Sequence, residues 1–214
     1  MSFADQRRAY RKGALSDDAK GLDPLATLSA WMTEAMEGGE PEGTAMSLAT
    51  VDPDGQPVVR VVLCKGVEGD GIRFFTNLGS RKAVALAAEP RAAATFWWAG
   101  LERSVRLVGR TELLPREDVD AYFASRPRGS RLGAWASAQS RPIADRAALE
   151  HQAKVIDDTF TDPEPTAAPA EWGGYVLIPH EVELWQGRDD RLHDRFRFTR
   201  AAAGEPWTAE RLQP

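Results

Sequence analysis

The 214-residue chain holds a single cysteine, Cys64, so no intrachain disulfide can form and a thiolate metal cluster is excluded. Its three histidines, His151, His180 and His193, are too scattered to suggest a metal site. No apolar run reaches the length that spans a bilayer, and residues 1–8 lack the apolar stretch of a signal peptide, which gives the expectation of a cytoplasmic protein. Basic excess is missing too: 27 Lys and Arg stand against 32 Asp and Glu, a net charge of −5. A nucleic-acid scaffold normally carries the opposite balance, so any phosphate must be held locally. There is no Gly-x-Ser-x-Gly elbow, no Gly-x-Gly-x-x-Gly turn and no Walker loop, which disfavours a serine hydrolase and the common nucleotide-binding turns.

What is present reads as mainly β with helical additions, an α+β chain in one domain over residues 23–214, preceded by a polar arm over 1–22 that reads as mobile. Asp23-Pro24 opens a helix with Leu25, Leu28, Trp31 and Met32 on one stripe, closed by Gly38-Gly39. A hairpin is predicted over 46–51 and 57–65 around Asp52-Pro53-Asp54-Gly55, with further strands at 72–76, 92–98 and 103–113. Helices are predicted over 80–88, 115–125 and 145–160, and a proline-rich surface loop over 162–170. Strands then return at 174–178, 182–186, 192–198 and 207–212. Short strands broken by turns suggest a closed or nearly closed barrel.

Four stretches carry chemistry. As a strand, Arg191, His193, Arg195 and Arg197 share one face opposite Leu192, Asp194, Phe196 and Phe198, which reads either as a surface for an anion or as a solvated edge. Ser80-Arg81-Lys82 opens a helix, so its N–H groups and two cations form either a phosphate site or an ordinary capped end. In Arg60-Val61-Val62-Leu63-Cys64-Lys65, period two sends Arg60 and Lys65 to opposite faces; both serve one site only if the strand bends, bulges or meets a ligand at its end. Tyr122 and Arg126 lie four apart on a helix, followed by a turn at Pro127-Arg128-Gly129-Ser130-Arg131, an arrangement suited to a second phosphate or to a helix dipole.

The wording of these stretches is specific. Trp185-Gln186-Gly187 followed by Arg191-Leu192-His193-Asp194-Arg195, the stretch from Tyr122 to Trp135, and Phe75-Thr76-Asn77 leading to Ser80-Arg81-Lys82 together resemble the pyridoxine (pyridoxamine) 5′-phosphate oxidases, over most of residues 7–212. These are FMN enzymes that make pyridoxal 5′-phosphate. The resemblance implies a split β-barrel that binds FMN and forms a homodimer with FMN at the interface. It also implies hydride transfer from pyridoxamine or pyridoxine 5′-phosphate to the flavin, with dioxygen reduced to hydrogen peroxide.

For FMN, the resemblance implies the segment Arg60, Val61, Val62, Leu63, Cys64 and Lys65, then Phe75 and Thr76, with Arg81 and Lys82 on the phosphate. Ser104, the pair Gln139-Ser140, Trp185 and Arg195 complete that set. For the substrate phosphate it implies Lys65, Tyr122, Arg126 and Ser130. Arg7 and Tyr10 belong to an arm over the substrate, and Arg191 and His193 face its ring as the catalytic pair, His193 orienting rather than acting as an obligatory base. Phe75 stands where the family often has Tyr, Cys64 where Leu is common, and Ser104 where Gln is usual; serine cannot span that gap to the flavin. Two rivals stay open: a related split-barrel flavoenzyme with another substrate, and a non-catalytic protein that binds flavin or pyridoxal phosphate.

Overall fold

The computed structural model describes residues 9–160 and 167–214. Asp23 caps the first helix, α1 (Pro24–Glu37), its Oδ1 accepting from the N–H groups of Leu25 (2.9 Å) and Ala26 (2.8 Å), while Pro24 occupies the first turn, where no N–H is needed. The hairpin β1 (Ala45–Val51) and β2 (Pro57–Leu63) follows, then β3 (Gly66–Glu68), β4 (Gly71–Asn77), α2 (Arg81–Ala88), β5 (Arg91–Trp98) and β6 (Arg103–Leu113). Three helices come in succession, α3 (Arg116–Ser125), α4 (Arg128–Ala136) and α5 (Arg146–Thr159), before β7 (Trp172–Gln186), β8 (Asp194–Thr199) and β9 (Thr208–Leu212).

All strand pairs are antiparallel, in the order β2-β1-β5-β6-β7-β4-β3, with β8 added to β7 and β9 to β8. The two ends of this order meet: β2 packs against β4, and Lys65 N–H donates to Arg73 O at 2.8 Å. The result is the split-barrel α+β architecture expected. Alternation along the strands fills its interior, with Met46 and Leu48 from β1, Phe96 and Trp98 from β5, Leu107 from β6, Leu184 from β7 and Phe196 and Phe198 from β8. The apolar stripe of α1, Leu25, Leu28, Trp31 and Met32, joins the same core. A second, smaller core of Val119, Phe123, Ala168 and Trp172 sits under α3 on the outer side of β4 and β7.

Four readings need correction. The strands expected at 174–178 and 182–186 are one 15-residue strand, β7, running through Pro179. Pro179 is tolerated because it faces the register shift between Val108 and Gly109 of β6, at the point where the other neighbour of β7 changes from β4 to β8. The turn expected at 127–131 is the start of α4: Pro127 stands at its N-cap, and Gly129 and Gly133 weaken its helical signal. The three-residue β3 was not anticipated. Lastly, Arg191 and His193 precede β8, and residues 189–191 form a 3₁₀ turn with Asp190 (φ 55°) and Arg191 (φ 64°) left-handed. Of the arm, residues 9–22 lie against the barrel, with Ala19 buried and Leu15 N–H donating to Asp194 Oδ2 at 3.0 Å.

Candidate functional site

The β4–α2 junction buries a cation. Lys82 is 8% exposed, and its ammonium donates to Thr76 Oγ1 (2.9 Å), Gln139 Oε1 (3.0 Å) and Ser80 Oγ (3.3 Å), neutral acceptors all. Burial, and then the charge of Arg60, hold its pKa below the ordinary lysine value. A buried ammonium without a carboxylate is a natural seat for an anion, because only a negative ligand compensates its lost hydration. Ser80 stands at the N-cap of α2 but makes no capping bond; its hydroxyl is turned into this cluster instead. Arg81 is anchored by Asp52, with Nε and Nη2 reaching Oδ2 at 2.7 and 2.5 Å, and its N–H donates to Ser140 Oγ at 3.2 Å. Arg60 donates to Leu48 O (3.0 Å) and Thr50 Oγ1 (2.9 Å). Cys64 is buried in the core, where burial pushes its thiol pKa up.

A cleft of about 560 Å³ opens beside Lys82 and brings Lys65, Phe75, Thr76, Tyr122, Arg126, Ser130 and Gln139 to one place, together with Val61, Val62 and Leu63. β2 stops at Leu63, and Lys65 turns toward the cleft after it, whereas Arg60 is not among the residues that line the cleft. Phe75 and Tyr122 stack at 4.0 Å with Trp172 beside them, forming an aromatic wall. Against that wall lies the Arg126 guanidinium, 4.9 Å from the Trp172 ring centroid, with its buried Nη1 lacking any hydrogen-bond partner among the described residues. Burial lowers the Arg126 pKa and raises that of Tyr122. An arginine nitrogen left unpartnered next to a lysine, a phenol and a serine matches the geometry of a phosphate grip.

Trp185, Ser104, Arg195, His193 and Tyr10 gather elsewhere, on the outward side of the β5–β8 sheet. Trp97, Ser104, Trp185 and Arg195 fall in one register row across β5, β6, β7 and β8. The lining of the small hollow there, about 200 Å³, has no residue in common with the first cleft. Ser104 donates to Phe96 O at 2.8 Å, so its short side chain is turned to backbone. Arg195 and Arg197 do share a face, but Glu183 holds Arg195 (2.7 Å) and Glu210 holds Arg197, so the cationic stripe read from the sequence is largely neutralised within the chain. Arg191 is exposed and makes no hydrogen bond or ion pair among the described residues. His193 lies 4.6 Å from Trp185, ring to ring, and its Nδ1 accepts from Arg188 N–H at 3.1 Å. Burial first, and then Arg191 and Arg195, hold its pKa below 6.5. Arg7 lies outside the described residues.

Sequence reading missed Asp52, Trp172 and Glu183. Asp52 sat inside an obvious turn, and Trp172 and Glu183 in unremarkable strand segments, where only three-dimensional neighbours reveal a role. A larger hollow of about 850 Å³, between the start of α1 and the turns at 67–70 and 204–207, is a poorer candidate. Its buried cation, Arg200, is already bound to Asp70 and to Pro179 O at 3.0 Å and stacked on Trp207. Among the described residues no cluster of His, Cys, Asp and Glu could hold a metal, and no helix is long and apolar enough to cross a membrane.

The chain is 50% identical over 212 residues, 99% of both chains, to a pyridoxine/pyridoxamine 5′-phosphate oxidase of Cupriavidus taiwanensis. It is 48% identical over 214 residues to one of Burkholderia cenocepacia, covering 100% of this chain and 99% of that one. Among solved structures, PhzG from Burkholderia lata, in complex with tetrahydrophenazine-1-carboxylic acid, superposes with a TM-score of 0.85 at 28% identity, covering 94% of this chain and 98% of that one. A pyridoxamine 5′-phosphate oxidase-related, FMN-binding protein of Nostoc punctiforme shares the fold, with a TM-score of 0.72 at 20% identity over 90% of this chain and 99% of that one. Residues 172–214 match the pyridoxine 5′-phosphate oxidase C-terminal dimerisation region. With residues 32–160 matching pyridoxamine 5′-phosphate oxidase itself, the chain belongs to that family.

Proposed function

We propose that the protein is an FMN-dependent oxidase converting pyridoxamine 5′-phosphate and pyridoxine 5′-phosphate to pyridoxal 5′-phosphate, with dioxygen as electron acceptor, working as a homodimer in vitamin B6 metabolism. The observation that carries this reading is the unpartnered, buried Nη1 of Arg126 in a cleft shared with Lys65, Tyr122 and Ser130, close to the separate cation Lys82. Two phosphate seats side by side suit two phosphorylated aromatic ligands. The donor set around Lys82 fits an FMN phosphate, with Thr76 and Ser80 supplying directional hydrogen bonds and Arg81, held by Asp52, adding positive charge beside them. When bound, FMN supplies the redox chemistry, accepting a hydride from the substrate carbon that bears the amine or alcohol and returning the electrons to dioxygen as hydrogen peroxide.

The chain's own contribution is placement. Gripping both phosphates removes much of the entropy lost in bringing two rings face to face. The second cluster, Trp185, His193 and Arg191, would complete the site from the partner protomer, since on one chain it opens onto a different surface. The neighbouring sheet face supports such a partner: Val59 and Val61 on β2 are 68% and 67% exposed, close to the cleft that Val61 itself lines. Arg191, exposed and without a partner of its own among the described residues, covers the far side of the substrate ring, stabilises developing negative charge and excludes water. Arg191→Leu is expected to lower kcat by about 10²-fold while FMN retention stays within about twofold; equal loss of both would remove that role, as paired kinetics and flavin titration will show.

His193 orients its neighbours as a neutral ring, since its Nδ1 accepts the Arg188 N–H. Because its folded-state pKa lies below 6.5, the folded protein resists a proton that the unfolded chain accepts. Stability is therefore expected to fall as pH drops below 6.5, and turnover to fall once His193 itself takes up a proton. In His193→Asn the acid limb of the pH–rate profile should flatten; an unchanged limb assigns it to another group.

One observation favours a second reading, an oxidase of a reduced phenazine: the likeness to PhzG at a TM-score of 0.85. Against it stands the Arg126 grip, which a substrate without phosphate leaves unsatisfied. Anaerobic addition of pyridoxamine 5′-phosphate to the FMN-loaded protein decides between them. Bleaching of the flavin absorbance supports the proposal, whereas bleaching only by a dihydrophenazine carboxylate supports the alternative. No bleaching by either, with flavin bound, indicates a non-catalytic binder.

A further inference from the structure

Between β5 and β6 the chain turns through Glu102, which adopts a left-handed backbone (φ 55°) and is only 3% exposed. Both properties are unfavourable for a glutamate unless its carboxylate is well satisfied. Glu102 Oε2 accepts the backbone N–H groups of Arg11 (2.7 Å) and Lys12 (2.9 Å), ninety residues away in sequence. Its carbonyl accepts the Gly187 N–H (2.8 Å) and Gln186 Nε2 (3.1 Å). One residue thereby ties the N-terminal segment to the end of β7.

Tyr10 immediately precedes the tied pair. Its ring stands edge-on to Trp97 (6.4 Å), Trp185 (5.8 Å) and His193 (5.7 Å). Gly187 makes room for it, because a β-carbon there would lie 2.7 Å from Tyr10 Cγ and 2.8 Å from its Cβ. Two further ties at this point are solvent-exposed and so contribute little: Arg11 Nε to Asp189 Oδ2 at 2.8 Å, between side chains that are 76% and 43% exposed, and Lys12 Nζ to Gly100 O. A buried carboxylate accepting two N–H groups is the stronger anchor.

We propose that Glu102 is a positioning residue that latches the backbone of residues 11 and 12 and thereby holds Tyr10 as a cap on the Trp185–His193 surface. The inference rests on the proposed function in so far as that surface receives the substrate ring. Glu102 lines neither the Lys82–Arg126 cleft nor the hollow beside Trp185. It acts through Tyr10, so it governs capture of the substrate and leaves the seats at Lys82 and Arg126 untouched.

Two readouts on the FMN-loaded protein test this. Arg11 and Lys12 are trypsin sites inside the latch, and cleavage after them, resolved by mass, reports its opening without any substrate. Glu102→Ala is expected to speed that cleavage by about tenfold and Glu102→Gln, which keeps an acceptor oxygen, by about threefold. Gly187→Ala should speed it as well, by displacing Tyr10 while Glu102 remains. In steady state, Glu102→Ala should raise KM for pyridoxamine 5′-phosphate by about fivefold or more, with kcat and flavin retention within about twofold. In a Tyr10→Ala background the same change should add almost nothing to KM.

Unchanged cleavage in both Glu102→Ala and Gly187→Ala would overturn the latch. Faster cleavage with an unaltered KM, or a KM effect that persists in full without Tyr10, would overturn its positioning role. A wild-type protein without turnover would instead count against the proposed function, and the cleavage rates would still decide the latch.

Discussion

Lys82→Met is expected to weaken FMN binding by about 10²- to 10³-fold, because it removes the buried ammonium and its charge-assisted hydrogen bonds to a phosphate. The same substitution should leave the FMN-free protein as stable as before or raise its Tm by a few degrees. Without a ligand, Lys82 holds a charge out of water against neutral partners only, Thr76, Ser80 and Gln139. Methionine fills a similar volume without that desolvation. Flavin-fluorescence titration and thermal unfolding of the FMN-free protein, measured together, separate a binding residue from a structural one. A fall in Tm that tracks the loss of flavin would mean that Lys82 works through the fold.

Arg126→Met carries the second large effect. The guanidinium lies over Trp172 and Phe123, and methionine keeps that apolar contact while removing the donors. KM for pyridoxamine 5′-phosphate is expected to rise by about 10²-fold with FMN affinity unchanged. Pyridoxamine without its phosphate should be a poor substrate for the wild type and scarcely worse for the variant, since the missing interaction is the same. If instead the variant loses the phosphorylated and unphosphorylated amines alike, Arg126 supports the aromatic wall rather than gripping phosphate.

The barrel was legible wherever local rules coincide with the fold. The cap at Asp23, the hairpin turned at Asp52-Pro53-Asp54-Gly55 and the alternation of Phe96 and Trp98 each announce themselves within a few residues. Pro179 misled because its missing N–H matters only if a partner needs it, and the partner changes at that position. Helix α4 was hidden by two glycines, and is stabilised by distant contacts such as Arg128 with Asp157 (2.5 Å) and Trp135 with Phe160. The charged alternation before β8 failed for a related reason: the left-handed pair Asp190 and Arg191 breaks the extended run so that the strand starts only at Asp194, and the carboxylates that occupy Arg195 and Arg197 come from β7 and β9.

The candidate residues themselves were legible through motif wording, and their distribution was not. Nothing in the sequence separates Lys82, Arg126 and Lys65, which share a cleft, from Trp185, His193 and Tyr10, which gather on another surface. That separation is what gives the dimer a chemical purpose in the proposed mechanism, each site being built from the phosphate-gripping cleft of one protomer and the Trp185 cluster of the other.

Complementation between two inactive variants tests this most directly. Lys82→Met disables the cleft and Arg191→Leu disables the opposite cluster, so each homodimer should be nearly inactive. Dissociated, mixed in equal amounts and reassociated with FMN just sufficient to saturate the wild type, they form hybrids in which one of the two sites draws an intact Lys82 from one chain and an intact Arg191 from the other. Activity should then recover to about a quarter of the wild-type value under random pairing. No recovery in a mixture shown to contain hybrids would contradict the shared site and place all of the chemistry within a single chain.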